Sequence, residues 1–151
     1  MVGKKIAGVQ KTDVLVVGSG CAGLMAALHI PREKKVTVIT KRNVERSDSF
    51  LAQGGMCMLR DDSDYDSYFE DTLKAGHYQN DRESVDLMIR NSRELAEELL
   101  SYGVRFTKKE DGSLAFTKEG AHSSPRILYY KDITGREITE KLWDEALRRP
   151  N

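Results

Sequence analysis

Short apolar runs alternate with polar, glycine-bearing segments in the first part of the chain, and this pattern predicts a strand, a helix and a second strand. The β-branched run 13–17 (DVLVV) meets a glycine cluster, an apolar stretch over 24–30 ends at Pro31, and 36–40 (VTVIT) forms a second run. Apolar runs of this length are typical of strands buried on both faces of a parallel sheet. The order therefore predicts a βαβ unit and an α/β fold.

Further along the chain, the pattern predicts a long loop and then two helices. Residues 42–64 are polar and glycine-bearing without a clean period, and long loops inside compact domains are usually functional. Residues 64–75 (DYDSYFEDTLKA) predict a helix that ends at Gly76. The clearest helix is 82–102, where apolar residues recur at steps of three and four.

Residues that usually begin or end a helix flank the predicted helices. Asn80 and Glu83 have the spacing of a capping box before the helix at 82–102, and Gly103 suits its C-terminal cap. A last helix is predicted after Thr134, where TGRE has the same capping-box spacing.

The segment between these helices predicts a hairpin. Residues 104–107 and 114–117 are short runs suited to strands. They flank Asp111-Gly112, a dipeptide that favours the tight turn of a hairpin.

The length of the chain bounds its domain organisation. A chain of 151 residues can form one domain with a core, but it is too short for a two-domain nucleotide-dependent enzyme. It stops directly after the last predicted helix, where a doubly wound sheet would continue with a third strand. We therefore expect residues 1–151 to be the incomplete, N-terminal part of a single Rossmann-like nucleotide-binding domain.

Charge and cysteine usage exclude several kinds of partner. The 24 Lys and Arg residues balance the 24 Asp and Glu residues, so no net field indicates a nucleic-acid or membrane partner. No segment approaches the roughly 18 apolar residues of a membrane span. Cys21 and Cys57 lie in different motifs without metal-binding or disulfide spacing, so we expect a reducing, cytoplasmic environment.

The residues Gly18-Ser-Gly20-Cys-Ala-Gly23 have the GxGxxG spacing of a dinucleotide-binding turn. Gly18 permits the tight turn, Gly20 lets the backbone approach a pyrophosphate, and Gly23 lets helix and strand pack closely. The N–H groups at the helix N-terminus then face the phosphates. Because the motif follows a strand and opens a helix inside a βαβ unit, it predicts nucleotide binding.

Lys41 stands at the end of the second predicted strand, where dinucleotide-binding domains usually have an acid that accepts a hydrogen bond from a ribose 2′-hydroxyl. Lysine carries only donors and cannot accept that bond. The pair Lys41-Arg42 suits a 2′-phosphate and hence NADP, a solvated basic strand end, or an FAD site in which Lys41 donates to the adenosine ribose or to a phosphate. These residues alone leave the three readings open.

Several short motifs together resemble the L-aspartate oxidases, which belong to the wider flavoprotein family of succinate dehydrogenase and fumarate reductase. The resemblance runs over almost the whole chain, and the order and spacing of the motifs make it specific. It rests on the GSGxAG turn, the strand-end lysine, AQGG at 52–55, EDTLKAG at 70–76, EGAHS at 119–123, RIL at 126–128 and D-x-TGREI at 132–138.

The resemblance implies FAD as the cofactor. In the family the GSGxAG turn holds the FAD pyrophosphate, and Lys41 matches a lysine on the adenosine side. The AQGG loop runs along the flavin, where backbone N–H groups can donate to the isoalloxazine. The residues that this assigns to the cofactor are Gly18, Ser19, Gly20, Cys21, Ala22, Gly23, Lys41, Asp48, Ser49, Phe50, Leu51, Ala52, Gln53, Gly54 and Gly55.

Asp48 departs from one branch of the wider family. In succinate dehydrogenases and fumarate reductases the matching position carries the histidine that bonds covalently to the flavin, whereas aspartate oxidases mostly have a small polar residue there. A carboxylate cannot form the histidyl link, so the resemblance implies noncovalent FAD. A carboxylate near the cofactor is unexpected, and a direct contact of Asp48 with FAD stays open.

Glu119, in EGAHS, matches the family's glutamate that orients L-aspartate. It would accept hydrogen bonds from the substrate ammonium group, which succinate lacks. Without the resemblance, Glu119 would be read as an ordinary exposed loop residue. His122 and Arg126 lie nearby and could contact substrate or brace the loop, and bracing is favoured for both.

The resemblance implies the L-aspartate oxidase reaction, in which FAD takes a hydride from Cα of L-aspartate and passes electrons to O2 or fumarate. In the family this reaction is the first step of de novo NAD biosynthesis, and its product, iminoaspartate, goes on to quinolinate synthase. The family's proton-handling arginine, capping domain and later FAD-binding strands lie beyond residue 151, so we expect a fragment without turnover. The alternatives are a fumarate reductase or succinate dehydrogenase flavoprotein and a nonenzymatic nucleotide-binding remnant.

Overall fold

The computed structural model describes residues 8–151. The elements in chain order are β1 (Val14–Val17), α1 (Cys21–His29), β2 (Val36–Ile39), α2 (Asp48–Leu51), β3 (Met56–Cys57), α3 (Tyr65–Ala75), α4 (Arg82–Ser101), β4 (Phe116–Thr117), β5 (Ile127–Leu128) and α5 (Thr134–Arg148). Among these residues, no helix has the length and apolar character needed to cross a membrane.

The predicted βαβ unit is confirmed. Strands β1 and β2 are parallel, with Val14 opposite Val36 and Val17 opposite Ile39. Helix α1 connects them after the glycine turn, and it packs against the sheet with Leu24 and Leu28 buried. Residues 14–39 thus form the crossover unit that the apolar pattern predicts.

The expectation that both strands are buried on two faces is wrong for this structure. Residues alternate between half-buried and exposed along β1, and Leu15 and Val17 are 52% and 76% exposed. Ile39 in β2 is also 47% exposed. Helix α1 covers one face of the two-stranded sheet, whereas these side chains point to the other face, since successive strand residues alternate in direction.

The backbone that follows α5 returns to the free edge of β2. Strand β1 uses the carbonyls of Lys35 and Ile39, so the N–H of Val36 faces the opposite edge. That N–H donates to the carbonyl of Asn151 at 2.9 Å, and the Asn151 side-chain amide donates to Lys34 O at 2.8 Å. A further strand along this edge stays a prediction.

The predicted loop at 42–64 contains short elements that its polar composition conceals. It holds α2, β3 and single turns of 3-10 helix at Val44–Arg46 and Asp62–Asp64. These pieces are too short to produce a hydrophobic period, and that is why sequence reasoning missed them.

The helices α3, α4 and α5 are confirmed, but both predicted capping boxes are wrong. The N-cap of α4 is Asp81, which accepts from the N–H of Ser84 at 2.8 Å. At α5, Thr134 is the first helical residue and its hydroxyl accepts from Tyr130 N at 3.0 Å. Glu137 turns away from the helix start to bind Arg105.

The predicted hairpin forms around its turn but not as two strands. Gly112 has φ +84° at the tip, and Lys108 and Leu114 form one antiparallel bridge. The residues beyond the bridge join a different sheet, in which β5 is central and pairs antiparallel with both β3 and β4.

The largest part of the core lies where α1, α4, α5 and β5 meet. Its most deeply buried members are aliphatic side chains from each of these elements, namely Leu24, Leu99, Leu128 and Leu142. A second cluster joins α3 to α4 through Tyr68, Leu73, Val85 and Ile89. The two clusters fix the helical layer against the strands, and the burial of each such leucine contributes about 1.5–3 kcal/mol.

We predict that Gly23→Ala destabilises the chain by about 1–3 kcal/mol, although alanine is the better helix former. A Cβ at Gly23 would overlap the carbonyl oxygen of Gly18 and press on the Val16 side chain at 3.4 Å. Urea unfolding measures the change. Gly8→Ala is the control, because a Cβ there meets nothing within 4 Å. Equal stability of both variants would contradict the close approach.

Candidate functional site

A cleft of about 890 Å³ lies at the carboxyl ends of β1 and β2 and at the N-terminus of α1. It gathers residues that are far apart in sequence, and it is the position at which parallel α/β sheets bind ligands. The sequence-predicted residues on its walls are Gly18, Ser19, Gly20, Lys41, Asp48 and Ser49, joined by Arg42.

The glycine turn is connected to the basic strand end by hydrogen bonds. Gly18 has φ +114°, a conformation that favours glycine. The buried Ser19 hydroxyl donates to Thr40 Oγ1 at 3.0 Å, and the Thr40 hydroxyl donates to Arg42 O at 2.9 Å. These hydrogen bonds fix the glycine turn relative to the backbone that carries Lys41. The turn, Lys41 and Arg42 therefore face the same cleft.

Ser49 links α2 to the N-terminus of α1. Its hydroxyl oxygen accepts from the backbone N–H of Cys21 at 3.1 Å. A Cβ on Gly20 would stand 2.9 Å from Ser49 Oγ, so the missing side chain at Gly20 makes room for this contact. The sequence-based reason for Gly20, close approach to a pyrophosphate, stays a prediction beside it.

The AQGG loop lies between β5 and the start of α5. Gly55 has φ +141°, and a Cβ there would lie 2.5 Å from Leu128 O. Ala52 O accepts from the N–H of Gly135 at 2.9 Å. The loop is therefore supported from behind, while Gln53 and Gly54 remain exposed.

Glu119 lies beside this loop. A Cβ on Gly54 would be 3.5 Å from Glu119 Oε2, so the carboxylate and the loop backbone are neighbours. Both line an open cavity of about 580 Å³ that also contains Gln53, Thr117 and Lys131. The structure thus brings together two candidate groups that are separated by 65 positions.

Seven predicted cofactor residues line neither cavity, namely Cys21, Ala22, Gly23, Phe50, Leu51, Ala52 and Gly55. Ala22 is exposed on α1, and Leu51 is 62% exposed on α2. The guanidinium of Arg136 lies over the Phe50 ring, with its carbon 5.7 Å from the ring centroid. The Cys21 thiol is 3.3 Å from Thr139 Oγ1, on the side of α1 that faces α5.

Arg126 is fully buried behind the EGAHS segment. Its guanidinium donates to Asp64 at 2.9 and 3.2 Å and to Asp71 at 2.6 Å. This geometry favours bracing over substrate contact, as expected from the sequence. Neither aspartate was identified from the sequence as a partner, although Asp71 lies in the EDTLKAG motif and could have been noticed there.

The two aspartates keep their charge next to Arg126. Burial opposes ionisation of Asp64, but the hydrogen bonds from Arg126 and Ser124 outweigh it, and the pKa of Asp64 falls well below its usual range. Burial likewise opposes ionisation of Asp71, yet bonds from Ser123 and Arg126 hold the pKa of its carboxyl below the ordinary value. The ion cluster is therefore charged throughout the neutral range.

His122 bridges Arg126 and Cys57. Its Nδ1 is 3.1 Å from Arg126 Nη1, and its Nε2 is 3.2 Å from Cys57 Sγ. A guanidinium can only donate, so Nδ1 accepts and the proton of the neutral ring resides on Nε2. Burial, followed by the charge of Arg126, lowers the pKa of His122, which favours this neutral form.

Comparisons with known proteins agree with this geometry. Residues 13–150 match the family described as FAD binding domain. The chain is 42% identical to the L-aspartate oxidase of Clostridium acetobutylicum over 141 residues and 44% identical to that of Clostridium perfringens over 139 residues. These matches cover 93% and 92% of the chain but only 32% and 31% of the relatives, so it spans about a third of their length.

The fold is also similar to solved flavoprotein structures. The quinol fumarate reductase FrdA of E. coli superposes with a TM-score of 0.85 at 26% identity. The match covers 92% of this chain and 24% of that protein. A second quinol-fumarate reductase, solved with menaquinol, gives a TM-score of 0.84 at 26% identity and a similar coverage of 92% and 25%.

We predict that the free energy of unfolding decreases as the pH is lowered below about 4, the ordinary carboxyl range. The folded pKa values of Asp64 and Asp71 are depressed, so the unfolded chain binds protons first, and stability is lost as the pH falls towards the folded values. Urea unfolding at a series of pH values measures the slope.

Asp71→Asn removes one of these carboxylates and should make the decrease shallower, whereas substitution of the exposed Asp66 by Asn should leave it unchanged. The same slope in all three proteins would refute the assignment to this cluster.

Proposed function

The chain belongs to the family of FAD binding domains, and from this premise we propose that it is the N-terminal, FAD-binding part of an L-aspartate oxidase. FAD as the cofactor is confirmed by the family and by the L-aspartate oxidase relatives. The expected α/β flavoprotein fold is confirmed as well. The reaction, the substrate and the individual site residues are proposals.

The observation that carries the proposal is the connection between the two cavities. The stretch 48–55 runs from the wall of the cleft at the glycine turn to the backbone beside Glu119. A dinucleotide has the same extended layout, with a pyrophosphate between an adenosine and a reactive ring. The first cleft suits the ADP half, and the exposed backbone of 52–55 suits the ring.

The residues of the first cleft fit an anionic ligand. Gly18 and Gly20 present backbone without side chains at the N-terminus of α1, and such helix ends attract phosphates. Lys41 and Arg42 add positive charge at the adenosine side. In this proposal Lys41 donates a hydrogen bond to the ribose or to a phosphate of FAD. This role accounts for the absence of an acidic residue at the end of β2 and does not require NADP as the ligand.

Glu119 would orient the substrate. FAD, when bound, would supply the redox chemistry, and the chain's own residues would hold the substrate in position. The Glu119 carboxylate lies on the exposed side of Gly54 and can accept charge-assisted hydrogen bonds from an ammonium group. That contact favours L-aspartate over succinate, because succinate would leave the carboxylate without a cationic partner.

The remaining parts of the activity are proposals for the whole protein. We propose that electrons pass from reduced flavin to O2 or fumarate, that iminoaspartate is consumed by quinolinate synthase in NAD biosynthesis, and that the protein acts in the cytoplasm. The proton-handling arginine and the capping domain would be supplied by sequence outside residues 1–151.

A fumarate reductase or succinate dehydrogenase flavoprotein is the second candidate, and the TM-score of 0.85 with a quinol fumarate reductase favours it. Asp48 argues against it, since a carboxylate on the cleft wall cannot form a histidyl–flavin bond. Acid precipitation of the FAD-bound protein separates the two. Noncovalent FAD is released into the supernatant, whereas covalent flavin stays with the pellet.

We predict that Lys41→Gln weakens FAD binding by about tenfold, because one charge-assisted hydrogen bond of about 1.4 kcal/mol is lost. Titration of the chain with FAD, followed by flavin fluorescence, measures the affinity. Lys109→Gln, at the exposed hairpin tip, is the control and should bind like the wild type. Equal affinities would remove Lys41 from the site, and tight NADPH binding without flavin would favour the NADP reading.

We expect residues 1–151 to bind FAD without oxidising L-aspartate, because the proposed proton-handling arginine is not among them. A peroxide assay with L-aspartate and FAD in air tests this expectation. Measurable peroxide that depends on L-aspartate would show that the chain alone has turnover. A chain that folds but stays colourless with FAD would favour the nonenzymatic remnant.

A further inference from the structure

We propose that Arg126 is a positioning residue, whose buried guanidinium holds the segment 119–124 against α3 and thereby keeps Glu119 beside Gly54. The meaning of this placement for substrate binding rests on the proposed function. The placement itself is a property of the chain.

Arg126 reaches the segment by three separate routes. It donates to His122 Nδ1 at 3.1 Å and to Ser124 Oγ at 2.8 Å. It also donates to Asp71 Oδ2, which accepts from both the backbone N–H and the hydroxyl of Ser123 at 2.7 and 2.8 Å. Three consecutive residues of the segment are thus tied to one guanidinium.

The same guanidinium also forms hydrogen bonds with residues at the start of α3. Asp64, just before α3, accepts two of its hydrogen bonds, and Ser67 Oγ in the first turn accepts another at 2.7 Å. The Tyr68 ring lies 4.9 Å below the guanidinium carbon. Because the planar fork is held on both sides, the segment cannot shift relative to α3 without breaking buried charge-assisted bonds.

A short stretch of backbone connects Glu119 to the residues that Arg126 holds. His122 N–H donates to Glu119 O at 3.3 Å and closes a turn around Gly120, which has φ +54°. Glu119 itself is exposed and extends from this turn towards Gly54. The geometry of an exposed carboxylate is therefore determined by a residue that never touches the cavity.

A stabilising role alone would make a different prediction. If Arg126 merely strengthened the fold, its replacement would lower the unfolding free energy without changing the Glu119–Gly54 distance in the molecules that remain folded. The test therefore needs a local readout of that distance rather than a denaturation curve.

The amide of Gly54 provides that readout in the 151-residue chain labelled with 15N. Its NMR chemical shift should respond to the charge of the neighbouring Glu119 carboxylate when the pH is varied. Lys131 and Asp132 line the same cavity and His122 lies in the segment, so Glu119→Gln is needed to identify the Glu119 contribution. We expect that contribution to disappear in Glu119→Gln.

Arg126→Lys keeps the cation but cannot reach Asp64, Asp71 and His122 together. We expect it to abolish the Glu119-dependent shift of Gly54 and to raise hydrogen exchange at the Ser123 amide by at least about tenfold, while amides in α4 stay protected. Arg105→Lys is the matched control, since Arg105 pairs with the buried Glu137 and lies over the ring of Tyr130, outside the segment. It should leave the Gly54 titration intact.

If Arg126→Lys does not fold, Asp71→Asn is the second variant for the same test, because Asp71→Asn leaves the pairing of Arg126 with Asp64 in place. A folded Arg126→Lys or Asp71→Asn protein with the wild-type Gly54 titration would overturn the proposal. Loss of the titration in Arg105→Lys as well would also overturn it, because the effect would then follow from lowered stability.

This experiment uses neither FAD nor L-aspartate, so its outcome is independent of the proposed function. Failure of L-aspartate to bind would contradict the proposed function and leave the positioning result standing. A Gly54 titration that does not depend on Arg126 would contradict the positioning role and leave the proposed function standing.

Discussion

Close backbone packing at three glycines is the constraint on which the candidate site depends. Gly23 lets α1 pack against the strand turn, Gly20 admits the Ser49 hydroxyl, and a Cβ on Gly135 would overlap the carbonyls of Ser49 and Ala52. The stretch 48–55 is therefore clamped between the starts of α1 and α5. A side chain at any of these positions would collide with the neighbouring backbone or with Ser49. It would move the two helices apart and increase the distance between the cleft and the AQGG loop.

The division between rigid support and exposed chemistry follows from this packing. The groups that would contact a ligand, such as Lys41, Gln53 and Glu119, are exposed, whereas the groups that hold them are buried. The desolvation cost of burying Arg126 is offset because its guanidinium meets carboxylate and hydroxyl oxygens, a ring nitrogen and an aromatic ring. The exposed face formed by Leu15, Val17 and Ile39 has no such cover among the described residues, and it presents apolar side chains to water.

Repeating apolar positions and short motifs determined which parts of the fold and of the candidate site could be predicted from the sequence. The parallel strands were predictable because they are short β-branched apolar runs on either side of a glycine turn and a helix. The helices α3, α4 and α5 were predictable because their apolar residues repeat over several turns. The resemblance assigned the AQGG loop to the cofactor and Glu119 to the substrate, but the neighbourhood of Glu119 and Gly54 was not predicted, since spacing alone says nothing about residues 65 positions apart. The Asp64–Arg126 pair was missed for the same reason, and the true cap at Asp81 was missed because several polar residues before α4 could have filled that role.

The contact between His122 and Cys57 has a consequence for the chemical stability of the segment that follows the AQGG loop. Cys57 follows the AQGG loop by one residue, and its half-buried sulfur accepts a hydrogen bond from the Nε2–H of His122. Burial raises the pKa of the Cys57 thiol. Oxidants attack the thiolate rather than the thiol, so the raised pKa keeps the Cys57 sulfur in the form that resists oxidation.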